Sequence, residues 1–172
     1  MRRATDADAQ VLHELAAATF ALACPPGMTQ ANIDVFIAEH LSAARFREYL
    51  ADPQRDLLIA EVGGQPAGYT MLVAGEPQDP DVASAVTERP TVELSKCYTL
   101  PSAHGTGTAP TLMAASVDAA RARGARTVWL GVNQQNARAN RFYDKSGFVV
   151  VGTKRFRVGD AVEHDFVRAL TL

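Results

Sequence analysis

The chain has 172 residues, of which 47% are hydrophobic and 21% are charged, and its formal net charge is −2. This composition is ordinary for a soluble globular protein, and the length fits one domain spanning residues 1–172. The sequence has no run of eighteen apolar residues and no signal-peptide core at its amino terminus, so we expect no membrane partner. The slightly acidic balance argues against general nucleic-acid binding. We therefore expect a cytoplasmic protein.

Charge is distributed unevenly along the chain. Residues 1–100 carry 7 basic against 14 acidic side chains, whereas residues 101–172 carry 10 basic against 5 acidic ones. The acidic half suits a cationic substrate and the basic half suits a polyphosphate cofactor. The two cysteines, Cys24 and Cys97, lack the spacing of a disulfide framework or metal site, and the four histidines are scattered. We expect no metal.

The amino-terminal part of the chain predicts helices. A short strand at residues 2–4 leads into a helix that Thr5 or Asp6 caps. The apolar stripe of that helix comprises Val11, Leu12, Leu15, Ala16 and Phe20. A second helical region is predicted from about Gln30 to Ala51, because apolar residues recur there at helical spacing.

A hairpin and a loop follow these helices. The apolar segments 57–62 and 67–73 flank the dipeptide Gly63-Gly64, which predicts a β-hairpin. Residues 75–90 contain three prolines and several acidic residues. This composition predicts a long loop.

The remaining chain alternates strands with helices. The predicted strands are 91–100, 126–132, 148–156 and 162–170. A helix is expected from about Thr108 to Arg123, where Gly124 ends it, and another from Asn136 to Ser146. Gly159-Asp160 is expected to turn the chain into the last strand. This order of elements predicts an α/β or α+β fold with a mixed sheet flanked by helices.

The strand at residues 91–100 runs into the glycine-rich turn His104-Gly105-Thr106-Gly107-Thr108-Ala109, which opens onto a helix. A helix amino terminus presents unpaired N–H groups and a positive dipole end, and glycines let a phosphate approach the backbone. The motif lacks the Gly-Lys-Ser/Thr of a P-loop and the spacing of a dinucleotide fingerprint. By itself it is equally typical of a plain turn.

A second motif, NARANRFYDKSGF, extends from Asn136 to Phe148. It predicts a short helix that Asn136 caps and Gly147 ends. Ala139 and Tyr143 are spaced to lie near one face of this helix. Alone, the pattern is also typical of an ordinary capped helix with a packing face.

In this order and separation, the two motifs resemble those of the GNAT superfamily of N-acetyltransferases. The first is similar to its Q/R-x-x-G-x-G/A signature for acetyl-coenzyme A (acetyl-CoA), and the second to its N-x-x-A-x-x-F-Y-x-x-x-G-F segment. This resemblance covers about residues 57–170 and implies a mixed sheet of about six to seven strands in which a splayed parallel pair holds the cofactor. A homodimer is common in the family. A weaker resemblance, to the bacterial spermidine/spermine acetyltransferases, rests on Glu93–Tyr98, Trp129–Val132 and Val158-Gly159-Asp160.

The resemblance assigns cofactor contacts to individual residues. Backbone groups that would pair with the pantetheine arm are those of Cys97, Tyr98 and Thr99. Residues that would cradle the pyrophosphate are Gly105, Thr106, Gly107, Thr108, Ala109 and Pro110. Asn136 matches the asparagine that bonds a pantetheine amide, and it is also the expected helix cap. His104 stands where the family has Gln or Arg, and Pro110 removes one donor, so both departures would lower cofactor affinity.

The resemblance also implies two catalytic roles. Tyr143 matches the tyrosine that protonates the leaving thiolate, with a packed aromatic residue as the alternative. Glu93 is the candidate base for the acceptor amine, with an ion pair or a solvated edge charge as the alternative. Strict strand alternation places Glu93 on one face with Ser95 and Cys97, and Lys96 on the other. Cys97 is not favoured as an acyl-carrying nucleophile, because no histidine is placed to activate it.

These expectations combine into an acetyl-CoA-dependent N-acetyltransferase that acts by direct transfer in a ternary complex. The acceptor is expected to be a small primary amine or a polyamine. Candidate amine contacts are Asp34, Glu39, Glu76, Asp79 and Asp81. Protein amines and aminoglycosides are the alternative acceptors, and a non-catalytic coenzyme A sensor is the alternative function.

Overall fold

The computed structural model describes residues 1–25, 27–158 and 161–172. Its centre is a seven-stranded sheet with the strand order β1-β2-β3-β4-β5-β7-β6. The strands are β1 (Arg2–Arg3), β2 (Arg55–Val62), β3 (Gln65–Ala74), β4 (Thr91–Thr99), β5 (Thr127–Asn133), β6 (Val149–Val158) and β7 (Ala161–Thr171). The predicted turn at Gly159-Asp160, and with it part of the Val158-Gly159-Asp160 segment, lies outside the described residues.

Within the described residues, six helices cover the two faces of this sheet. They are α1 (Ala9–Ala23), α2 (Gln30–His40), α3 (Ala43–Ala51), α4 (Pro80–Ala85), α5 (Thr108–Ala122) and α6 (Ala137–Lys145), with short 3₁₀ turns at Asp6–Asp8 and Pro101–Ala103. The predicted mixed sheet with flanking helices is confirmed.

Two buried clusters lie on opposite faces of the sheet. The first joins α1, α2 and α3 to the β2–β3 hairpin through residues such as Leu12, Phe46 and Tyr69. The second joins α5 and α6 to the middle strands through residues such as Val117 and Phe148. Successive strand residues therefore alternate between the two clusters, as the pleat of a strand requires.

Two predictions about the helical and loop regions are wrong in detail. The region from Gln30 to Ala51 is two helices, because Ser42 accepts a hydrogen bond from the Arg45 backbone N–H (3.3 Å) and begins α3 as its cap. The stretch 75–90 is not only loop, since it contains α4. Asp79 caps α4 through the backbone N–H of Asp81 (2.9 Å), and Pro80 occupies its first turn. Both are the ordinary start signals of a helix.

The strands β4 and β5 form the parallel pair that positions the site. Their register runs only from Thr91↔Thr127 to Glu93↔Trp129. Beyond that point β4 continues to pair with β3 as far as Thr99, while β5 continues to pair with β7 as far as Asn133. The facing edges of β4 and β5 thus part after three residues, which leaves backbone N–H and C=O groups of β4 without a neighbouring strand.

Candidate active site

A cavity of about 350 Å³ occupies the gap between β4 and β5. On one side it is bounded by residues of α1 and α2, and on the other by α6 and the start of α5. Predicted site residues that line it are Glu93, Cys97, Tyr98, Thr99, Ala109, Asn136 and Tyr143. The structure therefore brings the two sequence motifs and the middle of β4 to one place, although they are far apart in the chain.

The glycine turn before α5 has the backbone conformation that its sequence predicts. Gly105 and Gly107 have φ angles of 80° and 84°, a region that disfavours residues with a side chain. Gly107 is the residue that begins α5. In the described part of the chain, the backbone N–H groups of Gly105, Gly107, Thr108 and Ala109 have no hydrogen-bond partner. Unpaired donors at or just before the positive end of a 15-residue helix are the kind of group that binds anions, and we call these four the anion cradle.

Most of this turn lies outside the cavity lining, and hydroxyl contacts of Thr106 hold its shape. The Thr106 hydroxyl donates to the Ala103 carbonyl (2.7 Å) and lies 2.7 Å from the Thr108 hydroxyl. Gly105, Thr106, Gly107, Thr108 and Pro110 are absent from the cavity lining among the described residues, whereas Ala109 and the neighbouring His104 are present. The cradle thus lies at the rim of the cavity.

Helix α6 carries Asn136 and Tyr143 and is fixed against the sheet by buried polar contacts. The Arg168 guanidinium on β7 donates to Asn140 (3.1 Å) and to Asp144 (2.6 Å). The Asn140 amide in turn donates to the Asn133 carbonyl at the end of β5 (3.0 Å). These bonds set the helix position against both strands, so that its first turn and Tyr143 face the cavity.

Asn136 caps α6, as predicted. Its side-chain oxygen accepts a hydrogen bond from the Ala139 backbone N–H (3.0 Å), and its amide nitrogen lies 3.5 Å from the Ala23 carbonyl at the end of α1. The cap gives the oxygen one hydrogen-bond partner. The amide nitrogen lines the boundary between α1 and the cavity and makes only this one long contact.

Tyr143 and Cys97 lie side by side in the gap. Burial, the largest effect, raises the pKa of the Tyr143 hydroxyl well above its usual value, and Cys97 and Tyr98 nearby raise it further. Burial likewise raises the pKa of the Cys97 thiol to about 12, although a hydrogen bond with Tyr143 opposes this effect. Both groups therefore stay protonated at neutral pH, so Tyr143 can donate a proton and Cys97 is not a thiolate nucleophile.

The predicted alternation along β4 is wrong, because β4 contains a β-bulge. Met71 pairs with Lys96 and Leu72 pairs with Leu94, so Ser95 has no partner in β3. The extra residue inverts the order of faces beyond it. Cys97 consequently packs with Leu94 on the α5 side.

The same bulge places Lys96 on the side of Glu93. The Lys96 ammonium lies 5.7 Å from the centre of the Tyr49 ring, which belongs to the cluster beneath α1. Burial lowers the pKa of Lys96 to about 8, and the charge of Glu93 opposes this shift. Burial raises the pKa of Glu93, and Lys154, Lys96 and Arg55 oppose that shift. A carboxyl group with a raised pKa is a better base, so this environment favours proton acceptance by Glu93.

Four further charged residues line the cavity and were not predicted from the sequence: Arg138, Lys154, Glu163 and Asp165. Arg138 lies in the first turn of α6. Its position as a basic residue within the second motif is the sequence signal that could have predicted it. The other three come from the β6–β7 hairpin, and no local pattern marked them. The acidic residues proposed as amine contacts do not line the cavity in the described part of the chain.

The described residues were compared with the features that a membrane span or a metal site requires. None of the helices in residues 1–25, 27–158 and 161–172 has the length and apolar character needed to cross a membrane. Within the same ranges, no group of three His, Cys, Asp or Glu side chains is placed to hold a metal ion.

Three features indicate the class of the site: a parted parallel pair in a mixed sheet, an anion cradle at one rim, and a buried phenol in the gap. Together they are typical of an acyltransferase that uses coenzyme A. Residues 18–148 match the Acetyltransferase (GNAT) family. The chain is 48% identical to an uncharacterized N-acetyltransferase of Mycobacterium bovis over 160 residues, which cover 93% of this chain and 95% of that protein.

Solved structures share the fold over nearly the whole chain. The PaiA N-acetyltransferase of Thermoplasma acidophilum, in complex with coenzyme A, has a TM-score of 0.78 at 19% identity and covers 99% of this chain and 97% of that one. A ribosomal-protein-alanine N-acetyltransferase of Brucella melitensis has a TM-score of 0.66 at 23% identity, with coverages of 99% and 98%. The chain belongs to the GNAT acetyltransferase family, and it is an acetyl-CoA-dependent N-acetyltransferase.

Proposed function

We propose that the protein transfers an acetyl group from acetyl-CoA directly to a small primary amine, with Tyr143 as the acid and Glu93 as the base. The observation that carries the proposal is the parting of β4 and β5 after Glu93 and Trp129, with Tyr143 in the gap. A thioester in this gap would have its sulfur side toward α6 and its carbonyl side open to the Glu93 face of the sheet.

The residues present fit the cofactor. Unpaired N–H groups at Gly107, Thr108 and Ala109 would receive the pyrophosphate, and the Arg138 guanidinium, which also lines the cavity, would add positive charge. The unpaired edge of β4 at Cys97, Tyr98 and Thr99 would bond the pantetheine amides as an added strand does. The Asn136 amide nitrogen has donor capacity left for the same arm.

Proton transfer is assigned to two side chains on opposite sides of the gap. Acetyl-CoA supplies the activated acetyl group as a thioester. Glu93 would take a proton from the acceptor ammonium, directly or through a water, so that the free amine nitrogen can form the new N–C bond. As the C–S bond breaks, Tyr143 would donate its proton to the thiolate and regain one from the nitrogen. The products are an amide and a free thiol.

Direct transfer is favoured over an acyl-enzyme. A covalent route needs a thiolate, and burial raises the pKa of Cys97 to about 12. Direct attack by the acceptor amine on the thioester needs no such thiolate.

A polyamine acceptor stays a prediction. Its support was the acidic amino-terminal half of the chain and the weaker resemblance to spermidine/spermine acetyltransferases. The charges that line the cavity instead come from both halves, since Glu93 and Lys96 lie on β4 while Lys154 and Asp165 lie on the β6–β7 hairpin. We therefore propose the wider class, a small primary amine, with a protein amine (an N-terminus or a lysine) or an aminoglycoside as the alternatives.

The test is amine-dependent release of free thiol from acetyl-CoA. The purified protein is incubated with acetyl-CoA and, separately, n-butylamine, phenethylamine, spermidine, an aminoglycoside and a short peptide. We expect thiol release with at least one small amine, and one acetylated product per thiol by mass spectrometry. Binding of acetyl-CoA by calorimetry without any acetylated product would instead show a coenzyme A sensor.

A further inference from the structure

The β4–β5 gap contains a charged surface that the cofactor does not need. It consists of Glu93, Lys96, Lys154, Glu163 and Asp165, and we call it the charged floor. These side chains line the cavity, yet among the described residues none of them forms an ion pair with another. Glu163 accepts a hydrogen bond from the Asn133 side chain, which leaves the other four charged groups for a ligand.

Asp165 is the member of the charged floor that most needs a partner. The residue is only 5% exposed, and its Oδ1 atom is fully buried without a hydrogen-bond partner. Its burial raises the pKa of the carboxyl to about 6. An unsatisfied buried carboxylate is costly, and native structures keep such groups where they act. Glu163, by contrast, already accepts a hydrogen bond from the Asn133 amide (3.2 Å).

The lack of a side chain at Gly131 on β5 leaves the space that the Asp165 and Lys154 side chains occupy. A Cβ atom at Gly131 would lie 3.1 Å from the Asp165 Oδ2 atom and 2.5 Å from the Lys154 side chain. Both side chains therefore extend to β5 at Gly131, beyond the point at which β4 and β5 part. The glycine, which belongs to a segment already noted in the sequence, lets the carboxylate and the ammonium approach one point from two strands without closing the gap.

The charge and the walls of this region indicate what it binds. Three carboxylates and two lysine ammonium groups leave one formal negative charge on the charged floor, which a single added ammonium neutralises. Two lysines nearby disfavour a ligand with several positive charges. Opposite, α1 and α2 present the stacked rings of Phe20 and Phe36, 4.4 Å apart between centroids. These rings suit an apolar body and not a second ammonium.

We propose that Asp165 binds the ammonium group of the acceptor, and that the acceptor is a monoamine with an apolar body, either an alkylamine or an arylalkylamine. The inference rests on the proposed function and narrows its substrate class. Asp165 holds the amine at the cavity wall, Glu93 takes the proton, and Phe20 and Phe36 contact the apolar part.

The experiment compares Asp165→Asn with Glu163→Gln on n-butylamine, phenethylamine and spermidine. Glu163→Gln is the matched control, because Glu163 is a carboxylate of the same strand and cavity that already has a partner. We expect Asp165→Asn to raise the KM for both monoamines about ten- to a hundredfold, and Glu163→Gln to change it less than about threefold. Neither variant should change the Kd of acetyl-CoA, measured by calorimetry.

The wild-type protein gives a second measurement that needs no variant. We expect its kcat/KM for n-butylamine or phenethylamine to exceed that for spermidine at least about tenfold. The proposal is overturned if spermidine is the better acceptor, or if Asp165→Asn keeps the wild-type KM. If the wild-type protein acetylates no amine at all, the proposed function fails as well, so the two failures are distinguishable. Thermal melting should show Asp165→Asn folded and no less stable, since the amide removes a buried charge.

Discussion

Replacing Gly107 by alanine tests whether the turn before α5 is an anion cradle. Gly107 begins the helix with a φ angle of 84°, and a Cβ atom added there would meet no atom within 4 Å. The added methyl group therefore causes no clash, and its cost is backbone strain alone. A left-handed conformation costs an L-residue about 1–2 kcal/mol.

The strain has two expected consequences. It lowers the free energy of unfolding by about 1 kcal/mol, and we expect relief of that strain to reorient the N–H groups of Gly107 and Thr108. Losing one hydrogen bond to a charged group costs about 1.5–3 kcal/mol, which is roughly a ten- to hundredfold rise in the Kd of acetyl-CoA. The control with matched backbone geometry is Gly64→Ala in the β2–β3 turn, where φ is 78° and an added Cβ atom would likewise meet no atom within 4 Å.

Calorimetric titration with acetyl-CoA and urea unfolding of both variants separate the two effects. We expect equal losses of unfolding free energy in the two variants and a loss of cofactor affinity in Gly107→Ala only. If Gly107→Ala binds acetyl-CoA as tightly as the wild type while showing the same loss of stability as Gly64→Ala, the cradle assignment is wrong.

Three more predictions concern proton transfer and stability. Tyr143→Phe should lower kcat about 10²- to 10⁴-fold with the Kd of acetyl-CoA unchanged. Tyr49→Phe should keep kcat, because the Tyr49 hydroxyl donates to the His40 backbone carbonyl outside the cavity. The kcat of the wild type should fall as the pH drops through the raised pKa of Glu93. Glu93→Gln should lose most of the activity, and the activity that remains should not show this acidic fall in kcat. Arg2 holds the pKa of Asp8 well below its usual range, so Asp8→Asn should lower the unfolding free energy by about 1–3 kcal/mol at pH 7, and the difference should shrink below about pH 4 in urea titrations.

The parts of the site that sequence could predict are those built from local signals. The positive φ angles at Gly105 and Gly107, the cap at Asn136 and the end of α6 before Gly147 all follow from residue types at fixed offsets. The position of Tyr143 on the inner face of α6 follows from helical spacing. Local rules therefore predicted the conformation of this part of the chain, whereas its predicted role in cofactor binding came from the resemblance to the family.

The acceptor side depends on pairing between distant segments. The bulge at Ser95 exists because of the register between β3 and β4, and no residue pattern in β4 alone shows it. Lys96 consequently changed faces. Asp165 reaches the cavity only because β7 inserts between β5 and β6, and because Gly131 lies on the neighbouring strand. Such contacts are tertiary, so periodicity cannot predict them.

A crystal structure of the protein with coenzyme A tests the central claim most directly. The account predicts the pyrophosphate on the N–H groups at the start of α5, the pantetheine arm along β4 at Cys97 and Thr99, and the thiol beside the Tyr143 hydroxyl. Coenzyme A bound elsewhere, or a β4–β5 gap that stays closed to the pantetheine arm, would contradict it.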